Sequence, residues 1–453
     1  MSREMKDSGS PWIGKVPKEW IVIRMKSCIL RRDGGAWGDS PQNNEGDIIC
    51  LRIADFDYKK CRFKEKGEFT VRNYSQDIIE KLILKSGDII IEKSGGGEKT
   101  PVGRTVVFDK PYKAVYANFC DRIRCRDDIV KPDYMQYVFV AFYQNRYVWN
   151  YIKQTTGIQN LDLTTLLSVE KIALPSYSEQ TRIVSFLDKQ CAYIDSVLEK
   201  TKVSIEEYKI LKQAIITQTV TKGLRTDTGR IMKDSGIKWI GKMPDNWKLL
   251  PFRRVLKERN EKNSPIKSRE RLSLSIDLGV TLYSEKTTNL DRFKENFEQY
   301  KVAHKGDLVM NSMNMIVGAS GQSKYYGCVS PVYYTFYDET EDHCTAKFCE
   351  YVFRSKTMLR VLFSLGKGIY AIVRGDDKVN TCRLKVSKED LKSIVIPIPP
   401  LEEQREIITF LDKKCNQINK IIEKKEQFVN ELENYKKSVI YEYVTGKKEV
   451  PES

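Results

Sequence analysis

The chain has 453 residues, 41% hydrophobic and 30% charged, the balance of a folded protein with room for two to four domains. Lys and Arg exceed Asp and Glu by 77 to 61, a formal charge of +16 that favours a polyanionic partner, either nucleic acid or an anionic membrane surface. No apolar run approaches the roughly 18 residues of a membrane span, and Met1-Ser-Arg-Glu-Met-Lys-Asp lacks an apolar signal region, so a cytoplasmic protein is expected.

In chain order, the first element is residues 1–20, in which 5–20 read MKDSGSPWIGKVPKEW. Residues 232–247 read MKDSGIKWIGKMPDNW, 11 identities in 16 positions at an offset of 227, which marks a tandem duplication. Residues 21–170 form a first globular segment with β-rich runs at Ile48–Ile53, Gly87–Ile91 and Val102–Phe108, and a helical pattern over Pro132–Lys153. Residues 171–223 carry a long helix that begins near Ser178 after Pro175 and stops at Gly223. Its heptad positions are Val184, Cys191, Leu198, Ile205, Lys212 and Leu187, Ile194, Thr201, Tyr208, Ile215, eight of ten apolar.

The second copy repeats this plan. Residues 224–247 hold the repeated element, and 248–394 form a second globular segment with strands near Asp307–Met310 and Val329–Phe336 and a helical pattern over Thr345–Leu365. Residues 395–446 carry a second long helix, with Ile408, Cys415, Ile422, Val429, Lys436 and Leu411, Ile418, Lys425, Leu432, Val439 as its seam, and 447–453 form a tail. A seam shared by two helices of a chain that leaves one segment and returns from the other requires antiparallel pairing. The expected fold is therefore α+β: two α/β domains separated by two long helices in an antiparallel coiled coil, pseudo-twofold through the duplication.

Catalytic chemistry is poorly supplied. The only histidines are His304 and His343, and the nearest ligand clusters, His343-Cys344 with Cys349 and Cys120 with Cys125, have no second pair at zinc-finger distance. Eleven cysteines without symmetric spacing fit reduced core thiols. Neither a Gly-x-x-x-x-Gly-Lys-Ser/Thr loop nor an Asn/Asp-Pro-Pro-Tyr/Phe motif occurs. Asp390-Leu391-Lys392 matches part of a nuclease pattern, but Ser387-Lys-Glu-Asp-Leu-Lys reads better as an N-capped helical turn.

The long helices are nearly neutral, so the basic excess lies in the globular segments. Polar, Gly-containing loops there suit base edges and phosphates, since Gln or Asn pairs with adenine and Arg or Lys with guanine. One is Lys93-Ser-Gly-Gly-Gly-Glu-Lys-Thr-Pro-Val-Gly-Arg104, from which Lys93, Ser94, Lys99 and Arg104 are candidate DNA contacts. A second is Lys153-Gln-Thr-Thr-Gly-Ile-Gln-Asn160, offering Lys153, Gln159 and Asn160. In the second copy the candidates are Asn311 and Asn314, with Lys367, Tyr370 and Arg374 from Lys367-Gly-Ile-Tyr-Ala-Ile-Val-Arg374.

Several motifs together resemble the DNA specificity subunits of Type I restriction-modification systems. They are Asp7-Ser-Gly with Trp12-Ile-Gly, Pro17 and Trp20, copied at Asp234 to Trp247; Leu174-Pro175 and Ile398-Pro399; Glu179-Gln180 and Glu403-Gln404; and Val220-Thr-Lys-Gly with Val444-Thr-Gly-Lys. The resemblance spans the whole chain. It implies two target recognition domains, each reading one half of a split, asymmetric double-stranded DNA sequence. It also implies a non-catalytic role beside two modification subunits that bind S-adenosylmethionine and two restriction subunits that use ATP and Mg²⁺, with no cofactor or metal on this chain. A stand-alone DNA-binding or regulatory protein on the same scaffold is the alternative. No base contact carries over from the resemblance to a numbered residue.

Overall fold

The computed structural model describes residues 3–65, 67–97, 100–155, 157–224, 229–276, 278–286, 296–340, 342–369 and 383–451. The chain divides into two units, Met1–Lys202 with Glu426–Ser453, and Val203–Lys425. Both boundaries fall inside long helices.

In the first unit the central sheet runs β2 (Ile29–Gly34), β6 (Cys120–Cys125), β3 (Ile89–Glu92), β5 (Thr105–Val107), and then the short strands Arg62–Phe63 and Phe56–Asp57. The pairings among β2, β6, β3 and β5 are antiparallel, while Val107 meets Arg62 in parallel. Strand β3 is buried on both faces, as its Ile-Ile-Ile-Glu sequence leads one to expect of a central strand. Helix α1 (Pro132–Gln144) places Tyr134, Val138, Phe139 and Phe142 in the main core with Trp12 and Trp20. A separate small sheet runs β4 (Ser94–Gly95), β8 (Ile158–Leu161), β7 (Ile152–Thr155). Strand β9 (Lys171–Leu174) pairs with β1 (Ile21–Arg24) and leads into α2 (Tyr177–Lys222).

The second unit has β10 (Lys248–Pro251) paired with β17 (Val395–Ile398), and a sheet ordered β11 (Lys257–Glu258), β14 (Tyr333–Tyr337), β12 (Leu308–Asn311), β13 (Ser320–Gln322). Helices α3 (Cys344–Arg354) and α4 (Lys356–Leu365) cover it, followed by the hairpin β15 (Lys367–Ile369) and β16 (Arg383–Lys385). The short helix α5 (Lys388–Ser393) precedes β17, and α6 (Leu401–Val444) is the last helix. The core gathers Trp247, Phe252, Phe336, Phe348, Phe353 and Leu411.

The long helices pair antiparallel inside each unit. In the first, Phe186 lies against Tyr443 at 4.5 Å, Lys436 Nζ donates to Asp195 at 2.7 Å, and Lys202 to Glu433 at 2.9 Å, so numbers rise on α2 as they fall on α6. In the second, Lys212 Nζ donates to Asn419 at 2.8 Å and Lys425 lies over the Tyr208 ring. The heptad positions Leu187, Cys191, Ile194, Leu198, Thr201 and Ile205 are buried, as are Leu411, Cys415, Ile418, Val429 and Val439. Near the domain the stripe departs from the heptad: Ile216 and Val220 are buried with the second unit's core, and Ile407 replaces Ile408. There each helix packs on a globular core, and the straight period of 3.6 replaces 3.5.

Two helical expectations need correction. The first helix ends at Gln144, where Arg146 adopts a left-handed φ of 64° and a 3-10 turn over Tyr147–Tyr151 follows. The second is two helices broken at Ser355, whose extended backbone ends α3 and starts α4. The described cysteines are all free, and among the described residues no His/Cys/Asp/Glu cluster could hold a metal. The Cys344 thiol is pushed up to about 11, chiefly by burial. Ser387 Oγ accepts from Asp390 N at 3.0 Å, and the Asp390 carboxylate is taken by Ser387 and Lys367, so the nuclease-like triplet is a helix cap.

Candidate nucleic-acid interface

Each candidate surface starts from the same turn. Lys85-Ser-Gly87-Asp88 and His304-Lys-Gly306-Asp307 place glycines at φ +90° and +92°. The Asp carboxylates accept from Lys85 N and His304 N, both at 2.8 Å. A guanidinium binds each through two nitrogens, Arg124 at 2.7 and 2.7 Å on Asp88 and Arg259 at 2.7 and 3.2 Å on Asp307. These turns launch the central strands β3 and β12, whose far ends carry the candidate loops.

At the end of β3 two loops distant in sequence become one surface. Strand β8 pairs with β4 on one side, Ser94 opposite Asn160, and with β7 on the other, Lys153 opposite Asn160. Ser94 Oγ donates to Asn160 Oδ1 at 2.7 Å, and Leu161 N donates to Lys93 O at 2.8 Å. Lys93 Nζ lies 3.4 Å from Asp121, with Arg32 Nε 3.8 Å from the same carboxylate. Lys153 remains largely exposed while bound to Asp162 at 2.8 Å, which with Thr165 draws that carboxyl down to about 2.

Two candidates from the same loops face inward. Gln159 is fully buried and its Oε1 accepts from Val102 N at 3.3 Å, so it braces the loop and offers no edge to a ligand. The signal was strand alternation: Gln159 stands two residues before the buried Leu161, while Ile158 and Asn160 point out. Arg104 gives two hydrogen bonds to buried Glu92, at 3.0 and 2.8 Å, and stacks 3.7 Å from the Tyr58 ring. Burial disfavours its charge, but Glu92 more than offsets this and its pKa is raised. Arg32, absent from the sequence candidates, sits in a regular strand that no loop signal marks.

The second unit builds the same connection. Val386 N donates to Ser312 O at 3.1 Å, the counterpart of Leu161 N to Lys93 O, so the loop after β12 meets the β15–β16 hairpin. Asn311 Oδ1 accepts from Met313 N at 3.1 Å, and exposed Asn314 precedes a 3-10 turn over Met315–Val317. Lys367 is exposed and 3.2 Å from Asp390. Lys99, Tyr370 and Arg374 lie outside the described residues.

The repeated motif residues instead mount the helices. Trp20 Nε1 donates to Glu179 at 3.1 Å and Trp247 Nε1 to Glu403 at 2.9 Å; Arg3 and Arg230 bind the same two carboxylates. Gln180 donates to Pro175 O at 3.1 Å and Gln404 to Pro399 O at 3.0 Å, closing the Pro-to-helix corner. Tyr137 donates to Asp188, and Tyr351 to Asp412, joining each domain helix to the long helix that follows.

A family model for the type I restriction modification DNA specificity domain matches residues 17–207 and 258–431, so each match covers a sheet domain and the first part of the helix after it. The chain belongs to this family. The MjaX specificity subunit of a type I restriction enzyme from Methanocaldococcus jannaschii is 22% identical over 450 residues, covering 96% of this chain and 95% of the relative. The MjaVIII specificity subunit from the same organism is 24% identical over 215 residues, 47% of this chain and 48% of its own length. In fold, the chain is similar to the HsdS subunit from Thermoanaerobacter tengcongensis, with a TM-score of 0.52 at 14% identity over 96% of this chain and 98% of that one. It is similar too to a chain in a structure describing complex assembly and conformational transition of a type I R-M system, with a TM-score of 0.68 at 14% identity over 96% and 99%. No helix among the described residues is long and apolar enough to cross a membrane.

Proposed function

We propose that this specificity-family chain is the non-catalytic DNA-reading subunit of a type I restriction-modification complex, in which each unit reads one half of an asymmetric bipartite duplex. The observation that carries this is the twice-built connection of strand-end loop to hairpin, Lys93 O with Leu161 N and Ser312 O with Val386 N, dressed with different side chains. One scaffold with two surfaces suits two unlike half-sites. Lys93, Ser94, Lys153 and Asn160 in one unit, and Asn311, Asn314 and Lys367 in the other, are the described groups available to bases and phosphates.

The partners are two modification subunits and two restriction subunits. S-adenosylmethionine, ATP and Mg²⁺ belong to those subunits, and this chain takes none of them. Apolar side chains left exposed on the helices support helical partners: Tyr193, Phe428 and Tyr435 in the first unit, Val203 and Ile210 in the second. Phe428 with Tyr435, and Val203 with Ile210, are one heptad apart, the spacing at which a further helix would pack. The decisive experiment replaces residues 21–170 with the equivalent segment of a relative and sequences the methylome of the host. One half of the methylated sequence is expected to change; a change in both halves, or in neither, would overturn the reading.

A further inference from the structure

The turns that precede β6 and β14 share a feature absent from the sequence candidates. Ala117-Asn118-Phe119-Cys120 is closed by Cys120 N donating to Ala117 O, and Ser330-Pro331-Val332-Tyr333 by Tyr333 N donating to Ser330 O, both at 3.0 Å. In the ladders Cys120 stands opposite Glu92, and Tyr333 opposite Asn311. Phe119 and Val332 therefore occupy the same place, one residue beyond the last pair and beside the candidate loops. Phe119 O accepts from Lys93 N at 2.8 Å and from Ser94 N at 3.3 Å, which ties the turn directly to the surface that holds Asn160.

Turn tips ordinarily take Gly, Asn, Asp or Ser. Here Phe119 is 52% exposed and Val332 41% exposed, each leaving apolar surface in water. Two domains with little sequence in common both accept that cost at one register position. Lys93, Ser94 and Asn160 adjoin the Phe119 turn, and the loop Asn311–Asn314, in which Met313 is exposed as well, adjoins the Val332 turn, so each apolar group has hydrogen-bonding side chains beside it. A methyl- or ring-sized apolar contact beside hydrogen-bonding groups matches the major-groove edge of thymine, the one base that displays a methyl group there.

We propose that Phe119 and Val332 are specificity-determining residues, each covering the C5 methyl of a thymine in its own half-site. The assignment rests on the DNA-reading function proposed above. The test uses the full chain and a duplex carrying its methylation target, with deoxyuridine replacing thymidine in one half-site at a time. Wild type is expected to lose about fourfold in affinity for each methyl removed from contact. Phe119→Ala should bind the thymine duplex more weakly and be indifferent to deoxyuridine in one half while still sensitive in the other; Val332→Ala should show the reverse. Phe119→Leu and Val332→Ile, which keep apolar cover, should retain the deoxyuridine penalty, and undiminished binding to a scrambled duplex at low salt shows that all variants are folded. Wild type indifferent to deoxyuridine in both halves, or alanine variants that keep the full penalty, would overturn the assignment alone. Wild type that fails to distinguish target from scrambled duplex would overturn the DNA-reading function, and the assignment with it.

Discussion

Glu403 shows how much a single side chain is asked to hold. It accepts from Trp247 at 2.9 Å and takes both terminal nitrogens of Arg230, at 2.6 and 2.7 Å. Burial pushes its carboxyl up, but Arg230 and Trp247 outweigh it and the pKa ends below the usual glutamate value. A depressed folded pKa means stability that is complete above about pH 4.5 and lost as pH falls through the folded value. Thermal melts taken from about pH 6 downward should therefore fall more steeply for wild type than for Glu403→Gln, and parallel curves would show that this carboxylate does not couple to folding. Gln159 and Asn160, adjacent in sequence, should separate two effects. Gln159→Ala strands the buried Val102 N–H and should cost about 1–3 kcal/mol of stability, read as a lower Tm. Asn160→Ala should leave Tm nearly unchanged and weaken binding to the target. Arg104→Ala should behave like Gln159→Ala, with a loss of about 3 kcal/mol from the stranded Glu92, and a variant of normal stability but weak DNA binding would return Arg104 to the interface.

The long helices were the most legible elements, because a heptad is written locally and repeats from Val184 to Ile215 and from Ile408 to Val439. Their polar layers were legible as positions and became pairs only in space, Lys436 with Asp195 and Lys212 with Asn419. Lys436→Met alone should destabilise by about 1–2 kcal/mol through the unpaired Asp195, and adding Asp195→Leu should recover most of it; equal losses in single and double variants would mean that the pair contributes nothing specific. Gly446 ends α6 at φ +71°, and a β-carbon there would stand 2.4 Å from Pro17 Cδ. Gly446→Ala should thus cost more than the about 1 kcal/mol of the backbone term alone, measured by denaturant midpoint. The proposed binding surface was only half legible. Composition marked the loops, but their joining rests on ladder pairs such as Ser94 with Asn160, 66 residues apart, which no local pattern specifies. For the same reason the inward turn of Arg104 onto Glu92 had no sequence mark, whereas that of Gln159 was available from strand alternation.

At the scale of the whole chain, the duplication keeps the mounting residues and varies the surfaces. The exchange of residues 21–170 carries this into practice, since Trp20 and Glu179 stay with the host chain while Tyr134 and Tyr137 come from the donor. Tyr134 Oη donates to Val444 O at 3.0 Å and Tyr137 to Asp188 at 2.7 Å, so donors without tyrosines at these places should give chimaeras of lower Tm even where the new half-site is read. Full stability in such a chimaera would show that these hydroxyls are dispensable. The proposed interface residues carry a different burden from the mounts. Lys153, Asn160 and Lys367 hold at most one intramolecular side-chain partner among the described contacts, and each is exposed. Changing them removes little from the folded state, so the surface can drift through many sequences without passing through an unfolded intermediate. A lineage carrying this scaffold can therefore acquire a new recognition sequence by a handful of surface mutations, limited by whether the new site is useful to the cell rather than by whether the protein still folds.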